Sequence, residues 1–166
     1  MTLQNLWTGS YFEPTDIVAI KPRAIIVDID GTLSNSDHRE YLLNHGRRDE
    51  YFDQVSYDDL NEWCKDLIDR YKQDHVVLLL TGRPERVRAE TVNWLDLHNV
   101  HYDSLIMRGD DDCEQGFIYK QKILQTRLEP NFDVKMIVDN DPDICEAFRN
   151  LGIPALEYQQ EGGVDD

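Results

Sequence analysis

The sequence predicts an α/β fold, a Rossmann-like, doubly wound and mostly parallel sheet of five strands, and three observations carry that expectation. Short β-branched runs with no polar face recur along the chain, as strands buried in a parallel sheet do. They alternate with helical patterns of about ten to fifteen residues, which is the signature of βαβ units. Three of the runs end in Asp or Thr, at the sheet edge where such folds bind ligands.

The opening residues 1–22 have no clear period and close on Lys21-Pro22, so they read as an irregular arm. Ala24-Ile25-Ile26-Val27-Asp28-Ile29 is the first strand, stopped by Asp30-Gly31-Thr32. A polar stretch follows to about residue 55. Leu60, Trp63, Cys64, Leu67, Ile68 and Tyr71 then fall on one helical face, with Ser56 and Asp59 spaced as a capping box. Val76 to Thr81 is the second strand, broken at Gly82, and Pro84 suits the first position of the next helix. That helix carries Val87, Thr91, Trp94, Leu95 and His98 inward, and Asn99 stops it. Ser104 to Arg108 is a third, weaker strand, followed by an acidic loop and a helix over 117–128. Val134 to Asp139 is the fourth strand. Asp141 and Pro142 open a helix that Gly152 closes, and Pro154 to Tyr158 is an edge strand.

The whole chain, 1–166, reads as a single domain, with its core at about 23–158 and a disordered polar tail at 159–166. The connection between the first two strands is longer than a crossover needs. A small helical insert at about 34–74 is expected there, over the carboxyl edge of the sheet. Seventeen Lys+Arg against thirty-three Asp+Glu leave a net charge of −16, which excludes a basic nucleic-acid coat and a polybasic membrane anchor. Cys64, Cys113 and Cys145 offer neither a disulfide framework nor a zinc site. The first residues lack a signal-peptide pattern and no apolar run approaches the ~18 residues of a membrane span, so a cytoplasmic protein without a membrane partner is expected.

The chemistry gathers at strand ends. Asp28 and Asp30, two residues apart where a buried strand opens into a glycine turn, can face one pocket, one as nucleophile and the other as proton donor. Asp139, at the end of the fourth strand, adds a third acid. Such a gathering is costly without a cation, which implies a hard ion such as Mg²⁺. Thr81, ahead of a helix, offers a hydroxyl and free backbone N–H groups to a phosphate. Lys120 or Lys122 can supply positive charge for a phosphoryl intermediate. Taken singly, each feature has an ordinary structural explanation; the order of all four on four strands argues for a site.

Asp28-Ile29-Asp30-Gly31-Thr32-Leu33, Leu80-Thr81-Gly82-Arg83, Lys120 and Val138-Asp139-Asn140-Asp141 resemble the four motifs of the haloacid dehalogenase (HAD) superfamily phosphatases over residues 24–157. Within that superfamily the chain is similar to the phosphatase domain of bacteriophage polynucleotide kinase/3′-phosphatase. Arg39, eleven residues after Asp28, matches an arginine that the resemblance places on the substrate side, and Lys120, nineteen before Asp139, matches the family lysine. Two positions depart from the pattern. Asn140 stands where a second acid is usual, and Gly116 replaces an acid four residues before Lys120.

The resemblance implies a Mg²⁺-dependent phosphomonoesterase with Asp28 as nucleophile, Asp30 as acid and base, and Thr81 and Lys120 completing the catalytic set. Thr32, Gly82, Arg39 and Arg83 are then expected on the substrate, and Asp28, Asp30, Asp139 and Asp143 around the metal, with Asp141 the alternative to Asp143. The implied substrate is a phosphorylated nucleotide or nucleic-acid end, with a terminal 3′-phosphate favoured and Arg39, Arg83, Arg86 and Arg88 as a cationic rim. No phosphate-binding kinase loop occurs, so a kinase or ligase partner would be separate. The alternatives are a 5′(3′)-nucleotidase using the insert as a lid, and a non-enzymatic receiver-like phospho-acceptor. A receiver, however, would carry its acceptor after the third strand, where Met107-Arg108-Gly109 stands.

Overall fold

The computed structural model describes residues 20–159. The expectations for an N-terminal arm and a disordered tail therefore fall almost wholly outside the described residues. Five parallel strands form the sheet: β1 (Arg23–Val27), β4 (Val76–Pro84), β5 (Ser104–Arg108), β6 (Asp133–Asp139) and β7 (Ala155–Glu157), in the order β5-β4-β1-β6-β7. The expected α/β class is the one found. Alternate residues of β1 enter different cores: Ala24 and Ile26 on one face with Phe148 and Leu124, Ile25 and Val27 on the other with Cys64 and Trp94. Both faces are covered, which is why the run carries no polar alternation.

The chain moves outward from β1 through β4 to β5, then returns to the other side of β1 as β6. This reversal opens a crevice at the carboxyl ends of β1 and its neighbours. Four helices pack on the two faces: α3 (Glu62–Tyr71), α4 (Arg88–Leu97), α5 (Gly116–Ile123) and α6 (Pro142–Asn150). Asp141 caps α6, accepting from the N–H groups of Asp143 and Ile144, and Asn99 ends the turn after α4 with φ 52°.

Several boundaries differ from the expectation. Ser56 caps nothing: Val55–Tyr57 is a short 3-10 turn, and α3 begins after Asn61. The strand β4 runs on through Thr81-Gly82-Arg83 to Pro84, with its register against β5 shifting between Leu80 and Pro84. The helix over 117–128 is two pieces, α5 and a π-helical turn at Leu124–Leu128. The long connection holds β2 (Ser34–Asn35), α1 (Asp37–Asn44), α2 (Arg48–Asp53) and β3 (Asp59–Leu60), with β2 and β3 antiparallel. Its last helix, α3, buries Cys64 and Ile68 against the sheet. What stands over the sheet edge is thus the stretch from β2 to β3, shorter than the span 34–74.

Candidate active site

At the floor of the crevice three buried side chains meet. Lys120 Nζ, from α5, donates to Asp28 Oδ1 and to Asp139 Oδ2, each at 2.6 Å. Asp28 leaves the end of β1 with its N–H donating to the carbonyl of Val138, so the ends of β1 and β6 are tied beneath the site. Burial first, and the Asp139 charge second, push the Asp28 carboxyl up to about 7 against the pull of Lys120. Burial also works against the Lys120 ammonium, but Asp139 and Asp28 outweigh it and hold it above the ordinary lysine range.

Asp30 lies two residues on and faces a different set of partners. Arg83 donates to Asp30 Oδ1 through Nε at 2.9 Å and Nη2 at 2.8 Å, and Arg39 Nη2 donates to the same oxygen. Behind them sits Asp58, which accepts from Arg39 Nε at 2.7 Å, Arg83 Nη2 at 2.9 Å and Ser34 Oγ at 2.9 Å, and pairs with His38 Nε2. Trp94 Nε1 donates to the Asp58 carbonyl and fixes that residue to α4. Two carboxylates and two guanidiniums balance in charge, which is what a buried ionic cluster requires. Burial alone would raise the Asp30 carboxyl, but Arg83 and then Arg39 overcome it and hold it below the usual carboxylate range. Two acids two residues apart are thereby driven in opposite directions.

An open cleft of about 250 Å³ reaches this floor, lined by Asp28, Asp30, Lys120 and Asp139 below and by Leu43, Tyr51 and Phe52 of the insert above. Gly82, Gly116, Asn140 and Asp141 also reach it. Thr32 is fully buried, its hydroxyl within hydrogen-bond distance of Asp28 Oδ2 at 3.2 Å and Asn140 Oδ1 at 3.3 Å. Thr81 is buried beside the cleft, and its hydroxyl accepts the N–H of Arg83. Gly31 has φ 76°, and a Cβ there would stand 2.4 Å from the Asn140 amide nitrogen. The turn therefore depends on glycine.

Several of the expected residues have other partners in the structure. Arg39 and Arg83 are both 0% exposed and paired with Asp30 and Asp58. Arg86 pairs with Asp53 and Asp49, and Arg88 with Glu85, so the cationic rim is neutralised or internal. Asp143, on α6, lines a groove with Phe117, Gln121 and Glu146. The arginine contacts of Asp30 all fall on Oδ1, while the residue lines the cleft. Asp58 is the site residue that sequence reasoning missed, because an acid in a polar stretch carries no local signal of burial. Two carboxylates against one ammonium leave the floor with an excess negative charge whenever Asp28 is ionised, and this donor chemistry suits a hard divalent cation. Among the described residues no three His, Cys, Asp or Glu side chains gather as a ligand set. Magnesium commonly needs only one or two carboxylates, filling its octahedron with water and substrate phosphate.

A family model described as the polynucleotide kinase PNKP phosphatase domain matches residues 22–162. A protein of Autographa californica nuclear polyhedrosis virus, named as a bifunctional polynucleotide kinase/RNA ligase, is 23% identical over 141 residues, covering 81% of this chain and 19% of the viral protein. A chain of the Pnkp1/Rnl/Hen1 complex superposes with a TM-score of 0.73 at 23% identity, over 93% of this chain and 57% of that one. A second, from the Pnkp1/Rnl/Hen1 RNA repair complex, gives 0.72 at 26% identity, over 83% and 42%. A hydrolase from Streptococcus pneumoniae TIGR4 shares the fold at a TM-score of 0.56 and 11% identity, over 84% of this chain and 94% of that one. The chain thus spans about a fifth of the viral relative and about half of the chains from the repair complexes.

Proposed function

Since the chain belongs to the PNKP phosphatase-domain family of HAD-type phosphoric monoester hydrolases, we propose that it removes a terminal 3′-phosphate from a nucleic-acid end, through an aspartyl-phosphate on Asp28 and with Mg²⁺ as cofactor. The observation that carries the mechanism is the contact of Asp28 and Asp139 with one buried lysine at the base of an open cleft. Asp28 Oδ attacks phosphorus, the bond from phosphorus to the 3′ oxygen breaks, and the nucleoside oxygen takes a proton from Asp30. Asp30 then removes a proton from water, the water oxygen attacks phosphorus, and cleavage of the bond from phosphorus to Asp28 frees inorganic phosphate.

The arginine pair divides these duties unequally. It holds Asp30 ionised, which suits the base that activates water, whereas the first step requires Asp30 to take up a proton beforehand. Lys120 keeps Asp28 aimed and offsets negative charge as phosphorus is attacked. Asp28, Asp139 and the main-chain carbonyl of Asp30 are the groups that would hold the metal. When bound, the ion neutralises charge on the phosphoryl oxygens and on the nucleophile. The substrate class is supported by the family and by the polynucleotide-directed name of the viral relative. A kinase or ligase activity would act beside this one, in a longer chain or a partner protein, as the names of the relatives suggest for those proteins.

The test is acid quenching after incubation with an oligonucleotide carrying a radiolabelled 3′-phosphate. The unaltered protein is expected to carry a small amount of base-labile label, Asp28→Asn none, and Asp30→Asn more than the unaltered protein, because its second step is slowed further than its first. Turnover by Asp28→Asn overturns the covalent route. A higher kcat/KM for 5′-mononucleotides than for 3′-phosphorylated ends overturns the substrate and leaves a nucleotidase.

A further inference from the structure

The protein carries a net charge of −16, yet on the proposed reading it must admit the end of a polyanion. The cations on the cleft side are nearly all committed to acids or carbonyls. Arg39 and Arg83 hold Asp30 and Asp58, Arg47 holds Glu50, Arg86 holds Asp49 and Asp53, and Arg88 holds Glu85. Arg108 is bound to the Glu114 carbonyl and lies near Asp112, while Lys120 is shared by Asp28 and Asp139. Arg48 differs. Half-buried at the start of α2, it makes no ion pair among the described residues, and its guanidinium lies 5.4 Å from the centroid of the Phe52 ring.

Phe52 belongs to the upper wall of the cleft, beside Leu43, which is 41% exposed. Arg48 is therefore a ring's breadth from the wall and is not part of the floor where phosphoryl transfer takes place. An aromatic ring steadies a guanidinium by cation–π attraction without consuming its hydrogen-bond donors, and those donors form a fork that matches a phosphate. The other described arginines without an ion pair are remote. Arg70 ends α3 just before β4 begins, and Arg127 precedes β6, so both lie at the opposite edge of the sheet.

We infer that Arg48 binds the phosphodiester next to the terminal nucleotide, while Leu43 and Phe52 contact the nucleoside that carries the scissile phosphate. This inference rests on the polynucleotide-end reading above and deepens it. The site would favour a dinucleotide over a mononucleotide by one added phosphate contact and would gain little from longer chains.

The experiment compares kcat/KM for a 3′-phosphorylated dinucleotide with that for the matching nucleoside 3′-monophosphate. Arg48→Ala is expected to lower this ratio roughly tenfold, the size of one charge-assisted contact. The rise of KM with salt for the dinucleotide should become shallower. Arg48→Lys should retain part of the ratio, and Arg70→Ala should leave it at the unaltered value. A ratio in Arg48→Ala equal to that of the unaltered protein overturns the inference, whatever happens to absolute rates. A protein that ignores 3′-phosphates overturns the 3′-end reading alone; the same ratio, taken with a 5′-phosphorylated dinucleotide and a 5′-mononucleotide, then decides on Arg48.

Discussion

Asp28 is the residue at which the cost of the site concentrates. Its carboxyl titrates at about 7 in the folded chain against an ordinary value of 3.8, so between those limits the native state keeps a proton that the unfolded chain has released. Stability from this group is complete below about pH 4 and declines as pH rises through about 7. Asn carries no such penalty. In metal-free buffer, Asp28→Asn should melt roughly 5 °C above the unaltered protein at pH 8, with the difference closing near pH 4. Thermal scans with EDTA across that range check it, and a constant difference would show that the charge is not the cause. Asp30 has the opposite sign: with its acidity raised by Arg83 and Arg39, its contribution is present at neutral pH and lost as pH falls below the unfolded value. The two acids were legible as a pair in Asp28-Ile29-Asp30-Gly31. Their opposite environments were not, because those come from Lys120, Arg83, Arg39 and Asp58, up to ninety-two residues away.

The elements were readable where one short-range rule governed them. β1 and β6 announced themselves as buried strands, α3 by its apolar spacing, and α6 by Asp141 and Pro142. The misreadings fall where tertiary contacts overrule local preference. Pro84 remains paired with Arg108 as the end of β4 and stands just ahead of a 3-10 turn, Glu85–Val87, that leads into α4, and Ser56 sits in a turn that delivers Asp58 to the arginines. No pattern of two residues can reveal β2 or β3. Helix geometry also separates the two lysines of α5. Residues two apart point to different sides, and Lys120 is buried on the acids while Lys122 is 59% exposed beside Glu114. Lys120→Ala should therefore lower kcat at least a hundredfold, as loss of a charge-stabilising donor does. Lys122→Ala should remain within about twofold of the unaltered rate, since exposed pairs contribute little. Steady-state assays with p-nitrophenyl phosphate distinguish them, and the reverse order would move the catalytic lysine by two positions.

For the molecule as a whole, composition shows the acidic excess, but the sequence did not reveal where the cations go. Among the described residues no helix is long and apolar enough to cross a membrane. The cluster of Asp30, Arg39, Asp58 and Arg83 joins the two halves of the architecture. Asp30 and Arg83 come from the sheet edge, Arg39 and Asp58 from the stretch above it. Swinging that stretch aside would expose the cluster or strand its charges unpaired, at a cost of roughly 3–5 kcal/mol for each broken buried pair. These pairs favour the insert as a fixed roof over a swinging lid, with the cleft admitting substrate through its open side. Turnover should then be indifferent to solvent viscosity, with kcat flat in glycerol or sucrose, whereas a gating motion would make it fall as the medium thickens. Hydrogen exchange supplies a second gauge: the amides of α1 should open only with global unfolding. The bonds that pin the roof are also those that set the acidity of Asp30, so loosening the roof by mutation would detune the base that splits water, even in a protein whose nucleophile, lysine and metal site were left untouched.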